Sequence, residues 1–408
     1  MSRAAVATLA GHELRLIEGT RQWYPMLMDD LAAARFEVLV ETYILEPVGQ
    51  TLAVLDALAA TARRGVTVHL VVDGVGTAAL PAPLAQRLAD AGVQCRVYAP
   101  LGRLGLLVPS RWRRLHRKLV VVDGRVGYCG GINWLDDDHD PNHGPLPAPR
   151  LDYAVRICGP LVRDMHQTMR QLWQRMQAVR RLRDRQFVEA VAALRASHLP
   201  DPTDGPAVPT ASGGARAALL LRDNLRHRRR IEREYLRAIA AAQHEVLVAN
   251  AYFLPGRKLR RALVLAARRG VRVRLLLQGR YEYFWQYHAA RPIQAMLLDC
   301  GVDIHEYEPS FLHAKAAVVD AGGVRPWATV GSSNLDPLSL LLAREANVVV
   351  RDAAFAAELR ARLMAVIECQ GRRLDAAALA RRGLLTRGLD WLAYGLMRLA
   401  LWLTGKRY

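Results

Sequence analysis

The 408-residue chain has little cysteine. Five Cys stand at 95, 129, 158, 300 and 369, an odd number without a C-x-x-C pair. That excludes a disulfide framework and points to buried, reduced thiols in a cytosolic chain. Acid is short as well: 38 Asp and Glu face 57 Lys and Arg, a net charge of +19. Such a surplus calls for an anionic partner, nucleic acid or acidic lipid headgroups, and does not choose between them. The first twenty residues, MSRAAVATLAGHELRLIEGT, hold neither a secretory signal nor a spanning helix. The C-terminus comes nearer to one. Residues 389–404, LDWLAYGLMRLALWLT, are broken only by Asp390 and Arg398. A span needs about 20 apolar residues, so this run is short. Trp391, Tyr394 and Trp402 suit the headgroup region. Residues 389–408 therefore read as an interfacial amphipathic helix, with a core-packing helix as the alternative. Disorder is excluded by a hydrophobic content of 51%.

What the chain does contain, it contains twice. FEVLVETYILEP at 36–47 is echoed by HEVLVANAYFLP at 244–255, and ARRGVTVHLVVDG at 62–74 by ARRGVRVRLLLQG at 267–279. Each pair reads as strand, helix, glycine stop and β-branched strand. The alternation predicts an α/β fold in two halves, each a sheet with helices on both faces. The segment 199–214, LPDPTDGPAVPTASGG, reads as a linker between residues 1–198 and 215–388. Residues 161–197 read as one long helix with a basic tail. The run 216–233, with seven Arg against Asp223 and Glu232, reads as a solvated helix face or a patch for phosphates.

The chemistry lies in a duplicated H-x-K-x4-D pattern: His116, Lys118, Asp123 and His313, Lys315, Asp320. Alternate residues of a strand share a face, so each His sits beside a fixed cation. Asp123 and Asp320 have the opposite parity and stand at the strand ends, which suits pinning a turn more than touching substrate. Each motif runs into a Gly-rich turn, GGIN ending at Asn133 and GSSN ending at Asn334. Substitution at a phosphodiester needs a nucleophile, a proton for the leaving alkoxide and neutralisation of the phosphoryl oxygens. Two His supply the first two. Two Lys, with Asn133, Ser332 and Asn334, supply the third. The pattern requires no metal or cofactor, because a Lys two residues from each His opposes a bound cation.

These paired motifs resemble the phospholipase D superfamily over nearly the whole chain. The resemblance implies two pseudo-symmetric halves, each a mixed β-sheet flanked by helices. It further implies one active site at their interface and transfer through a phosphohistidine. It also implies that each His is oriented by an acid downstream of its own motif: Asp152 for His116 and Glu345 for His313. VGSSNLDPLSLLLAREANVVV at 330–350, ETYILEP at 41–47 and RDNLRHRRRIEREY at 222–235 resemble bacterial cardiolipin synthases of the type without N-terminal membrane helices. Gly131 departs from that family, whose first turn often has Ser there.

The resemblance implies a phosphatidyltransferase acting on phosphatidylglycerol or another phospholipid and releasing glycerol. His116 would be the nucleophile and His313 the acid/base. The alternative is a hydrolase or nuclease on the same fold. The expected partner is an anionic phospholipid membrane containing phosphatidylglycerol and cardiolipin, not nucleic acid. It would be met peripherally at the cytoplasmic face of the bacterial inner membrane. The apolar tip RLGLLVPSRWRRLHRK at 103–118, with Arg111, Arg113 and Arg114, would assist docking. A pseudo-dimer within one chain is compatible with a monomer.

Overall fold

A computed structural model describes residues 6–77, 79–102, 112–196, 213–223, 227–281, 284–336 and 343–403. The first half carries strands β1 (Leu9–Glu18), β2 (Glu37–Thr42), β3 (Thr67–Asp73), β4 (Val93–Tyr98), β5 (Lys118–Val122), β6 (Val126–Gly130) and β7 (Tyr153–Cys158). The second carries β8 (Ala215–Arg222), β9 (Glu245–Asn250), β10 (Arg272–Gln278), β11 (Asp303–Tyr307), β12 (Lys315–Val319), β13 (Trp327–Gly331) and β14 (Ala343–Val350), with a short edge strand β15 (Gly371–Arg373). The helices are α1 (Gly19–Ala33), α2 (Gly49–Arg63), α3 (Ala82–Asp90), α4 (Leu161–Arg183) and α5 (Phe187–Ala196) in the first half. The second has α6 (Arg230–Ala241), α7 (Arg257–Arg268), α8 (Phe284–Asp299), α9 (Ala353–Gln370), α10 (Ala376–Ala380) and α11 (Leu384–Leu403).

The repeat is legible in the pairing. One sheet runs β15-β11-β10-β9-β12-β13-β14-β8-β1-β7-β6-β5-β2-β3-β4. Each strand of the first half has its counterpart seven labels on, and the halves join where β1 runs antiparallel to β8. Within each half the pairs β2–β3–β4 and β9–β10–β11 are parallel. The motif strands β5 and β12 run antiparallel to β2 and β9. The carboxyl ends of the parallel strands therefore lie beside the amino ends of the motif strands, and each motif His falls there. The unbroken apolar runs follow from burial on both faces. Outward residues of β5, such as Val120 and Val122, pack with α1 and α2 residues including Leu27, Leu31 and Leu55. Inward residues Leu119 and Val121 join Ala316 and Val318 of β12 in a core shared by both halves. Each such buried Val or Leu contributes roughly 1.5–3 kcal/mol.

Local chemistry sets the element ends. Gly65 and Gly270, at φ +90° and +86°, stop α2 and α7 in the left-handed region, as the two Arg-Arg-Gly phrases predict. Two sequence expectations need correction. Residues 161–197 do not form one helix: α4 ends at Arg183, and Arg185 takes φ +60° before α5 begins. The run 216–233 is not one helical face either. Its first part is β8, in which Arg222 is buried, and α6 starts only at Arg230. The short apolar run AALLL in ARAALLLR suits a strand buried on both faces, and counting arginines concealed it. The expected linker lies outside the described residues except Gly213 and Gly214, as does most of the tip at 103–118.

Candidate active site

His116 ends the approach to β5. Residues Arg114–Leu115 pair with Ala343–Arg344 of β14, and His116 N–H donates to Arg344 O at 3.0 Å. Leu312 bridges Leu151 in the mirror arrangement, and His313 N–H donates to Leu151 O at 2.8 Å. Each His is thus threaded against a strand of the opposite half, and this overturns the expected acid pairing. His116 Nδ1 lies 3.0 and 3.1 Å from the two oxygens of Glu345, while His313 Nδ1 lies 2.6 Å from Asp152 Oδ2. The acids cross. Asp152 holds the second motif's His and Glu345 the first's. Sequence separation suggested a local partner, whereas the sheet brings the distant one closer.

With Nδ1 occupied, Nε2 is the nitrogen left for chemistry in each ring. Lys118 Nζ donates to His116 O at 2.8 Å, and Lys315 Nζ donates to His313 O. Both ammonium groups stand buried beside the imidazoles. Burial, then the charge of Lys315, pulls Lys118 down to about 7. Burial lowers His116, against the pull of Glu345. His313 is held well below the ordinary histidine value by burial and by Lys315, Lys118 and Arg150. Asp152 is pushed up to about 7 by burial. Glu345 is equally buried, yet His116, Lys118 and the Ser332 hydroxyl overcome the desolvation and hold it below the usual carboxylate value. The site gathers two buried lysines and two imidazoles around which an anionic phosphodiester would favour the charged forms.

Asp123 and Asp320, which complete the duplicated pattern, do not reach this cluster. They close the far ends of β5 and β12. Asp123 accepts backbone N–H bonds from Arg35, Phe36 and Glu37 at 2.8–2.9 Å. Asp320 accepts those of Gln243, His244 and Glu245 at 2.8 Å. Both take positive φ, +51° and +47°. This is the turn-pinning role that their strand parity suggested, and no oxygen is left pointing to substrate.

The turns also differ from expectation. Ser332 does not offer its hydroxyl to phosphate: it donates to Glu345 and accepts from Ala346 N–H at 3.1 Å. Gly131, the family departure, has a steric reason, because a Cβ there would overlap Asp152 Oδ1. Asn133 accepts the Ile44 N–H at 3.2 Å through Oδ1, and Asn334 is buried at the matching place.

Three residues escaped the sequence reading. Tyr43 packs its ring 4.7 Å from the His116 ring, with Lys118 Nζ 5.4 Å from the phenol ring. Asp73 and Gln278 end the repeated VVDG and LLQG phrases and accept the N–H of the residue before each His, Leu115 at 2.7 Å and Leu312 at 2.8 Å. The shared position in the repeat was the available signal. Arg114, assigned to membrane contact, instead pairs with Asp73 at 3.0 Å.

The C-terminal helix packs one face on the domain and leaves the other exposed. Ala393 and Asp390 are buried, and Asp390 bonds His288 of α8 at 2.6 Å and accepts from Arg382, just before its own helix, at 2.7 Å. The opposite face exposes Leu385, Trp391, Leu392, Leu396 and Leu399. No described helix is long and apolar enough to cross a membrane.

Two histidines held by carboxylates lent across a pseudo-twofold, each beside a buried lysine, define an enzyme of the phospholipase D type. The family model described as "Cardiolipin synthase, PLD-like domain" matches residues 27–144 and 235–367. Cardiolipin synthase B of Escherichia coli K12 is 37% identical over 374 residues, covering 91% of this chain and 84% of the relative, and that of Shigella flexneri matches equally. Cardiolipin synthase A of Pseudomonas aeruginosa LESB58 is 31% identical, covering 88% and 67%. The phosphatidylserine synthase structure from Haemophilus influenzae Rd KW20 shares the fold, with a TM-score of 0.65 at 12% identity over 97% of this chain and 95% of that one. The chain belongs to the cardiolipin synthases with phospholipase D-like domains and is a phosphatidyltransferase.

Proposed function

We propose that the enzyme joins two phosphatidylglycerol molecules into cardiolipin through a phosphatidyl-histidine. The crossed pairing of His116 with Glu345 and His313 with Asp152 carries the reading, because it prepares two Nε2 atoms in unequal settings. His116 Nε2 attacks phosphorus. The bond to the glycerol oxygen breaks, and that oxygen takes a proton from His313. Glycerol leaves. A hydroxyl of the second phosphatidylglycerol then gives its proton to His313 and attacks phosphorus. The N–P bond breaks, and His116 is restored. Lys118 and Lys315 neutralise the phosphoryl oxygens in both steps. Glu345, anionic and tied to Ser332, stabilises the cationic phosphohistidine. Asp152, near its own midpoint at about 7, suits a partner ring that gives and takes protons.

The partner surface is an anionic bilayer, met peripherally from the cytoplasmic face. The +19 charge and the exposed leucine stripe of α11 support this. Phe187, Val188 and Val191 of α5, beside a basic α4 end, form a second exposed apolar tract.

The test is rapid quenching of the full chain with radiolabelled phosphatidylglycerol, followed by peptide mapping and product analysis. Cardiolipin and glycerol should form in equal amounts, with label on His116 and no turnover by His116→Ala. Label on His313 would reverse the roles. Cleavage of plasmid DNA without lipid conversion would overturn the reading.

A further inference from the structure

The two halves differ at the place where the histidines need different neighbours. The strand registers align Glu41 with Ala249, opposite Leu119 and Ala316, so Tyr43 corresponds to Ala251, and the repeated phrases match Asp73 to Gln278. In the first half Tyr43 fills the space above its strand end. Its ring lies against His116, and Gly76 makes room for it, since a Cβ there would stand 2.6 Å from the ring. Asp73 spends both oxygens on protein, accepting from Leu115, Val75, Gly76 and Arg114.

In the second half the residue matching Tyr43 is Ala251, and a pocket opens beside it. Ala251 carries no ring, and the pocket, with about 50 Å³ of room, is lined by Ala251, Gln278, Arg280, Gln286 and Tyr287 among others. A single water needs about 10–15 Å³ of such room, so the pocket has space for a small polar group. Gln278 ties the pocket to the reaction, because its Oε1 accepts the N–H of Leu312, the neighbour of His313. The remaining polar atoms are left over. Among the described residues, Gln278 Nε2 and Gln286 Oε1 are buried and have no hydrogen-bond partner. A bare buried amide is costly, so a ligand hydroxyl that reached both atoms would be favoured. One donor and one acceptor match a hydroxyl-bearing ligand, which can accept from the first and donate to the second.

We propose that this pocket is the alcohol subsite. It takes the glycerol headgroup through its hydroxyls, first as the group leaving from the donor lipid and then as the acceptor. This rests on the phosphatidylglycerol reading and adds where the alcohol sits and what selects it. On this reading the Tyr43-walled side belongs to the nucleophile, and the pocket side, tied to Leu312 by Gln278, belongs to the His that protonates and deprotonates the alcohol oxygen. Both half-reactions then use one pocket, since the leaving and entering alcohols approach phosphorus from the same direction.

The test offers phosphatidylglycerol in mixed micelles with radiolabelled glycerol and 1-propanol at equal concentration. It reads the ratio of glycerol exchange to phosphatidylpropanol. Wild type should favour glycerol. Gln286→Leu removes the acceptor and should lower the ratio about tenfold, the equivalent of one hydrogen bond. Gln286→Glu keeps an oxygen there and should retain most of the preference. Ala251→Leu refills the pocket and should lower the ratio while raising KM for glycerol. An unchanged ratio in both Gln286→Leu and Ala251→Leu overturns the subsite. Wild-type cleavage of lipid with neither cardiolipin nor glycerol exchange would instead sink the phosphatidylglycerol reading.

Discussion

Lys118 is a cation kept where cations are costly. Its ammonium is drawn down to about 7, while the Asp152 carboxyl rises to about 7 and His116 falls below the ordinary histidine value. These directions fix the pH profile of kcat/KM, which reports groups in the free enzyme. His116 must be neutral to attack, so the acidic limb should lie below the usual histidine pKa of about 6.5. Lys118 must be charged, and the Asp152–His313 pair must retain a proton, so the rate should fall as pH rises through about 7. Lys118→Arg keeps its charge at any working pH, and part of the basic limb should move upward. A limb that stays in place in this variant would assign it to the Asp152–His313 pair alone. At this scale the sequence showed which residues matter and misassigned some partners. Spacing within a strand is local, so His116 beside Lys118 was legible. Which carboxylate meets which imidazole depends on strands some 200 residues apart, and the chosen Asp152–His116 and Glu345–His313 pairs were both the wrong way round.

The strands and hairpins of the motifs were the most legible elements, because valine runs and Asp-Gly carry strong local signals. The α4–α5 break was not, because Arg and Gln are good helix formers and only Arg185, at φ +60°, interrupts them. α11 was legible in composition and ambiguous in role. The structure shows why: its Asp390 face is fastened to α8, and its leucine face is exposed. Replacing Leu392, Leu396 and Leu399 together with Gln should weaken sedimentation with vesicles containing phosphatidylglycerol at least tenfold, with little change in thermal midpoint. Each of these leucines buried in lipid contributes roughly 1.5–3 kcal/mol, and none of the three packs in the core. Undiminished vesicle binding would remove α11 from the docking surface.

For the whole molecule, the repeat predicted two halves, and two halves are present, but they are not separable. The β1–β8 junction makes one sheet, and one core holds Leu119 and Val121 together with Ala316 and Val318. Calorimetry should therefore show a single unfolding transition for the full chain. Two resolved transitions would mean that the shared core is not cooperative. Composition announced the repeat and could not announce this fusion, because a shared core uses the same apolar residues that two separate cores would use.

The join between the halves has a consequence for how such a site can change. In a pair of identical chains, every substitution arrives on both sides of the symmetry axis, and two equal histidines stay equal. Here Gly131 accommodates Asp152 while Ser332 holds Glu345, and Tyr43 closes one wall while Ala251 leaves the other open. Because the two copies share one polypeptide, each difference can be inherited on one side alone. A single covalent link turns a symmetric scaffold into an asymmetric one, and division of labour between its two imidazoles becomes heritable.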